Sequence, residues 1–265
     1  MKKIIYLFIL VFSIISCADY IGPNQYTQEA IDKDYPYFNV GVSGFFVFEE
    51  ATNYIELTVA EKRLFLECLA LMRTVANTKE FPEAISNASQ EFKLDHDIKA
   101  GDPGVIYPST KGVKADRYRL WEVVAGTSYD VEYGKHLKNE GAAYATVGDN
   151  YYSYYTKDRK MKPGTRIWGP NAYLVSWAGF GTPAGMSSFT ALLFHEHMHN
   201  IGFTHNGSGV IPYDYQAVVQ GLCGRILDGD LKDKYSKDLD RLTAYYLDKY
   251  KDHLVSSTVY DPSKK

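Results

Sequence analysis

The chain has 265 residues, a formal net charge of -3 and 23 tyrosines. That length suits one substantial domain or two intimate lobes, large enough to bury a core without a disulfide scaffold. The near-balanced charge gives no reason to expect a nucleic-acid or anionic-membrane partner.

Met1-Lys2-Lys3 is a short positive stretch, followed by an apolar run from Ile4 to Ile15. The run is shorter than the ~20 residues a spanning helix needs, so it reads as the core of an export signal. It closes on Ile14-Ile15-Ser16-Cys17, which resembles the lipobox of bacterial lipoproteins. The resemblance implies a signal over residues 1–16, acylation of Cys17 and a lipid anchor in a bacterial membrane, the alternative being a conventional signal cleaved nearby. It also implies a location in the cell envelope, on the periplasmic or the surface face. Acyl chains anchor because each buried methylene contributes ~0.8 kcal/mol. No later segment reads as apolar enough to span a bilayer. Residues 17–35, polar and carrying Gly, Pro, Asn and Gln, read as a tether.

Phe45-Phe46-Val47-Phe48 has the aromatic and β-branched character of a buried strand. Thr58 followed by Glu61 is a capping-box signature for a helix running to about Ala76, with a broad apolar surface from Leu64 to Leu71. From Gly101 to Gly169 the chain is rich in Gly, Pro and Tyr, with short strand-like pieces such as Tyr118 to Val124. Tyr151 to Tyr155 reads as a half-buried strand face. Ala172 to Trp177 reads as another strand. Ser187 or Ser188 then caps a helix, and Asp214–Ile226 and Ser236–Leu254 read as two more. Cys68 and Cys223 sit in apolar helical contexts, where an exported compartment permits a disulfide and two buried thiols are equally compatible.

The second of these helices carries the chemistry. Residues 195–205 read His-Glu-His-Met-His-Asn-Ile-Gly-Phe-Thr-His. His195 and His199, four apart on a helix, lie on one face and can aim two imidazoles at a single metal. Glu196 sits where a carboxylate reaches a metal-bound water without being a ligand. Gly202 can end the helix in a left-handed turn that brings His205 back as a third nitrogen. Three protein ligands leave a fourth position for water, the mark of a catalytic zinc site. His197 points away from that face and reads as a packing or solvent-facing residue. No Glu follows Glu196, so a downstream Glu ligand is excluded, while Asp214 or Asp228 remain alternatives to His205. Asp228-Gly229-Asp230 reads as a polar loop and lacks the ligands of a calcium loop.

The H-E-x-x-H-x-x-G-x-x-H spacing of His195, Glu196, His199, Gly202 and His205 resembles the zinc signature of the metzincin metallopeptidases. The close likeness covers about eleven residues. It implies an α+β, metzincin-like two-lobe fold: a twisted mixed sheet with a backing helix and an active-site helix, then a small, mostly helical C-terminal lobe. Residues 36–265 would form one catalytic domain, with the upper lobe to about 202 and the lower lobe over 203–265. The strand ending at Trp177 would edge the cleft. The family's methionine turn is absent, since no Met follows Met198. Ile211 in Gly209-Val210-Ile211-Pro212-Tyr213 is the candidate floor, and Tyr213 resembles a tyrosine that stabilises the transition state in some members. The implied function is a monomeric zinc-dependent endopeptidase acting on extracytoplasmic proteins or peptides. One Zn²⁺ would polarise the carbonyl, with Glu196 as general base and Tyr213 assisting the oxyanion. Its alternatives are a zinc amidase on cell-wall peptides and a non-catalytic surface-binding lipoprotein on the same fold.

Overall fold

The structure, a computed structural model, describes residues 26–50, 53–87, 124, 126, 128–136, 144–145, 166–170, 182–201 and 211–259. The export signal with Cys17, Tyr118 to Trp121, Tyr151 to Tyr155, Ala172 to Trp177, Gly202, His205 and Gly209 lie outside these residues. The elements in chain order are α1 (Gln28–Asp34), β1 (Asn39–Glu50), β2 (Asn53–Ile55), α2 (Val59–Ala76), α3 (Glu80–Asn87), β3 (Ser128–His136), β4 (Tyr144–Ala145) and β5 (Arg166–Pro170). They continue with α4 (Pro183–Ile201), α5 (Ile211–Asp228), α6 (Lys232–Lys249), α7 (Lys251–Leu254) and β6 (Thr258–Val259).

Helix α2 begins where the sequence places it. The Thr58 side chain accepts from the Glu61 N–H at 3.2 Å, and the Glu61 carboxylate accepts from the Thr58 N–H at 2.7 Å. Thirteen of its eighteen residues are buried, so it runs through the core and does not merely back a sheet. Its one deeply buried cation near the C-terminus is tied down. Arg73 donates to the Tyr35 carbonyl at 2.7 and 3.1 Å and to Asp32 at 2.7 Å. Those bonds dock α1 onto α2, and Ile31 is fully buried beside them. Residues 28–34, read as part of a polar tether, are therefore a helix packed on the core. The Thr27 side chain caps it, and a single buried isoleucine is too weak a pattern to announce a helix from sequence.

The sheet among the described residues runs β2-β1-β3-β5-β4, with β6 also pairing β1. Only β1 and β3 are long, at 12 and 9 residues. They pair in parallel, with a register shift between Val42 and Gly44 of the kind a bulge produces. Gly134 on β3 lies against the Phe46 ring of β1, and any Cβ there would collide with that ring. β6 lies parallel to β1 at Phe46 and Val47, so the C-terminal end of the described chain returns to its first strand.

The expected fold class is corrected. The described body is mostly helical around a small open sheet, and it is not the twisted-sheet, two-lobe metzincin architecture. The helices after residue 211 do not form a separate small lobe. Leu222, Cys223, Leu242 and Tyr246 share one core with Phe65 and Leu69 of α2 and Val40 and Phe45 of β1. The Tyr246 hydroxyl donates to the Val40 carbonyl at 2.8 Å across that core. The physical reason is the apolar surface of α2, which is wide enough to be covered by the sheet and by the later helices at once.

Helix bounds also differ in informative ways. α4 starts at Pro183, a turn before Ser187, because Pro suits the first helical position and Thr182 receives the Gly185 N–H at 3.1 Å. Ser187 instead bonds back to the Pro183 carbonyl at 2.7 Å. The Asp228–Asp230 loop is short and braced, with Arg225 reaching both Asp230 oxygens at 2.7 and 2.8 Å. Cys68 and Cys223 are free, buried thiols. No helix among the described residues is long and apolar enough to cross a membrane.

The capping box yields a direct stability test. Thr58→Ala removes the side-chain acceptor and should cost about 1 kcal/mol. For a domain of this size that lowers the melting midpoint by about 2–4 °C. Thr58→Ser should keep most of it, and equal midpoints for all three proteins would discount the cap.

Candidate functional site

Helix α4 buries polar groups on two opposite faces. Residues four apart are separated by about 40° around a helix, whereas a residue midway between them points to the far side. His195 and His199 accordingly share one face, with ring centroids 4.9 Å apart. Tyr213, in the first turn of α5, stacks obliquely on His195 at 4.6 Å and is 55% exposed. The structure thus brings His195, His199 and Tyr213 together, with Glu196 next to His195 in the chain. Ile211 is the first residue of α5, while Gly202 and His205 lie outside the described residues.

Glu196 is 4% exposed, and its Oε2 makes no hydrogen bond. Burial pushes its carboxyl up to about 8, because the desolvated charged form is disfavoured. At neutral pH the group is mostly protonated. It then carries one O–H donor as well as acceptor oxygens.

The opposite face holds the residue that sequence pattern undervalued. His197 is fully buried, and each ring nitrogen meets a tyrosine of β3. The Tyr133 hydroxyl is 2.9 Å from Nε2, and the Tyr129 hydroxyl lies on Nδ1 and within 3.3 Å of the Asn200 side-chain oxygen. Phe38 packs edge-on to the same imidazole at 5.6 Å, and it does so from a left-handed backbone at φ 55. Burial pushes His197 down to about 3. A neutral imidazole has one N–H and one bare nitrogen, so one tyrosine accepts from the ring and the other donates to it. The available signal was Tyr129 and Tyr133, four apart and on one face of a strand.

The zinc expectation is corrected by this arrangement. Among the described residues no group of three or more His, Cys, Asp or Glu side chains is gathered so as to hold a metal ion. Of the three expected ligands, His195 and His199 share a face of α4 while His205 lies outside the described residues, and the Glu196 carboxyl is buried. The absence of such a group among the described residues corrects the metzincin, zinc-cofactor and metallo-endopeptidase expectations, together with the cell-wall amidase alternative, which depends on the same ion. Searches of family models, of characterised proteins and of solved structures each find no match to this chain.

The His197 clamp predicts two stability effects. Tyr133→Phe leaves a ring nitrogen buried without its partner and should destabilise by about 1–3 kcal/mol, read from urea unfolding. The pH effect follows from the depressed imidazole. Between the ordinary value of 6.5 and about 3, the unfolded chain takes up a proton that the folded one refuses. The contribution is complete above 6.5 and is lost as pH falls through the window. Glu196, raised to about 8, acts in the opposite sense over the same range, so the test is a difference: from pH 7 to pH 5.5 the wild-type urea midpoint should fall relative to that of His197→Leu. An equal change in both proteins would assign it to other groups.

Proposed function

We propose that this chain is a lipid-anchored protein of the bacterial cell envelope whose folded body recognises a protein or peptide partner. The recognition surface is the face carrying His195, Glu196, His199 and Tyr213. The observation that carries the reading is the buried Glu196 oxygen without a hydrogen bond, next in the chain to a histidine under an exposed tyrosine. Buried polar groups in native proteins are nearly always satisfied, so an orphan invites a ligand. A peptide unit presents one donor and one acceptor, which is what a protonated carboxyl can use in full. Exposed tyrosines contribute a large share of binding energy at such surfaces. The anchor rests on Met1-Lys2-Lys3, the apolar run and Ile14-Ile15-Ser16-Cys17.

The two halves of this reading are tested separately. Expressed in a bacterium with its own export signal, the chain should incorporate labelled palmitate and fractionate with membranes. Cys17→Ser should abolish both. A mature protein without acyl groups would remove the envelope anchor.

For recognition, the purified protein is titrated against a peptide library, reading the His195 and His199 imidazole resonances. A saturable response should weaken about tenfold or more in Tyr213→Ala. It should also be lost in Glu196→Leu, which keeps the volume and removes both hydrogen-bonding oxygens. A library without any saturable binder, or binders indifferent to both substitutions, would refute peptide recognition at this face.

A further inference from the structure

A polar cavity lies among elements that contribute nothing to the face just described. It has a volume of about 270 Å³, at the small end of ligand pockets and suited to a molecule the size of one sugar ring. It opens where the C-terminal ends of α1 and α2 meet α6. Asp34 ends α1 and Tyr35 follows it, Thr74 lies in the last turn of α2, and Tyr235, Asp238 and Arg241 come from α6. The three α6 residues are spaced by three, so they fall on one helix face.

The walls are held in place before any ligand arrives. The Tyr35 hydroxyl donates to Asp238 at 2.8 Å, and Arg241 pairs with Asp34 at 2.7 Å. The Arg241 guanidinium lies over the Tyr35 ring, 5.5 Å from its centroid. The Tyr235 hydroxyl donates to Glu80 at 2.6 Å, and the Thr74 hydroxyl to the Ala70 carbonyl at 2.8 Å. Each of these side chains therefore keeps its orientation without help, which lowers the entropy cost of binding.

The chemistry of the walls selects among ligand classes. Two carboxylates, Asp34 and Asp238, oppose an anion. The Arg241 charge opposes a simple amine. Buried phenol rings and mixed donors and acceptors leave a purely apolar molecule with unmatched polar contacts. A neutral polyhydroxylated ring fits all three conditions. Every hydroxyl both donates and accepts, so it can give to carboxylates and receive from a guanidinium. We propose that this cavity is a monosaccharide-binding site, separate from the peptide-recognition face.

The test is a thermal-shift and calorimetric titration of the full-length protein in detergent. The probes are glucose, galactose, mannose and N-acetylglucosamine, with inorganic phosphate and acetate as anionic comparators. At least one sugar should raise the melting midpoint with saturation in the millimolar range. Asp238→Asn keeps an acceptor for Tyr35 while removing a charge, and Arg241→Lys keeps the cation while removing the planar fork. Each should weaken that sugar about tenfold or more while retaining a cooperative melt. Three results would overturn the proposal: no sugar saturating, phosphate or acetate binding in place of the sugars, or a sugar response that survives both substitutions. A response lost in Tyr213→Ala and kept in Asp238→Asn would put sugar binding at the other face and overturn it equally.

Discussion

His197 stands where α4 crosses the sheet, with a tyrosine hydroxyl on each ring nitrogen, and the orientation of α4 follows from that contact. A helix can rotate about its axis when only greasy contacts hold it, because apolar packing is non-directional. Two hydrogen bonds to a planar ring allow no such rotation. With His197 turned toward Tyr129 and Tyr133, His195 and His199 must face away from the sheet, toward α5 and Tyr213. The candidate site is therefore a by-product of a clamp on its far side. The clamp has to be buried to be strong, since a hydrogen bond gains electrostatic strength in a low dielectric and an orphaned partner there is costly.

How much of this was legible depended on whether the determining contact was local. The Thr58–Glu61 cap and the apolar run behind it are local, and α2 lies where they indicate. The start of α4 was misplaced by a turn because two serines inside the helix looked like caps, while Pro183 marks the true start. α1 went unread because its stability comes from Arg73, some forty residues away, and from one buried isoleucine. The two-lobe expectation failed for a related reason. An eleven-residue motif carries information about its own helix and none about whether later helices pack against α2, which they do through Leu242, Tyr245 and Tyr246.

The site was legible in residue identity and misleading in chemistry. Spacing does put His195 and His199 on a common face, and Tyr213 does come to rest against His195. What spacing lacks is depth. Glu196 is buried in surroundings that raise its carboxyl and favour the neutral form. Periodicity assigns a face to each residue, whereas the protonation state is set by what the rest of the chain lays over that face. The cavity at Asp238 and Arg241 carries no sequence signature at all, since its walls come from three helices separated by some two hundred residues.

The return of β6 to β1 has a kinetic consequence. Phe46 pairs with Thr258, Tyr246 bonds to Val40, and the buried Lys62 donates to the Ser256 carbonyl at 3.0 Å. Each contact closes a loop of roughly two hundred residues, giving a fold of high contact order whose search is intrinsically slow. The sheet cannot be completed while the C-terminal helices are still being synthesised. Were the chain exported unfolded, as the proposed envelope anchor would require, that delay would serve it, because the first long strand keeps no C-terminal partner until the last residues emerge.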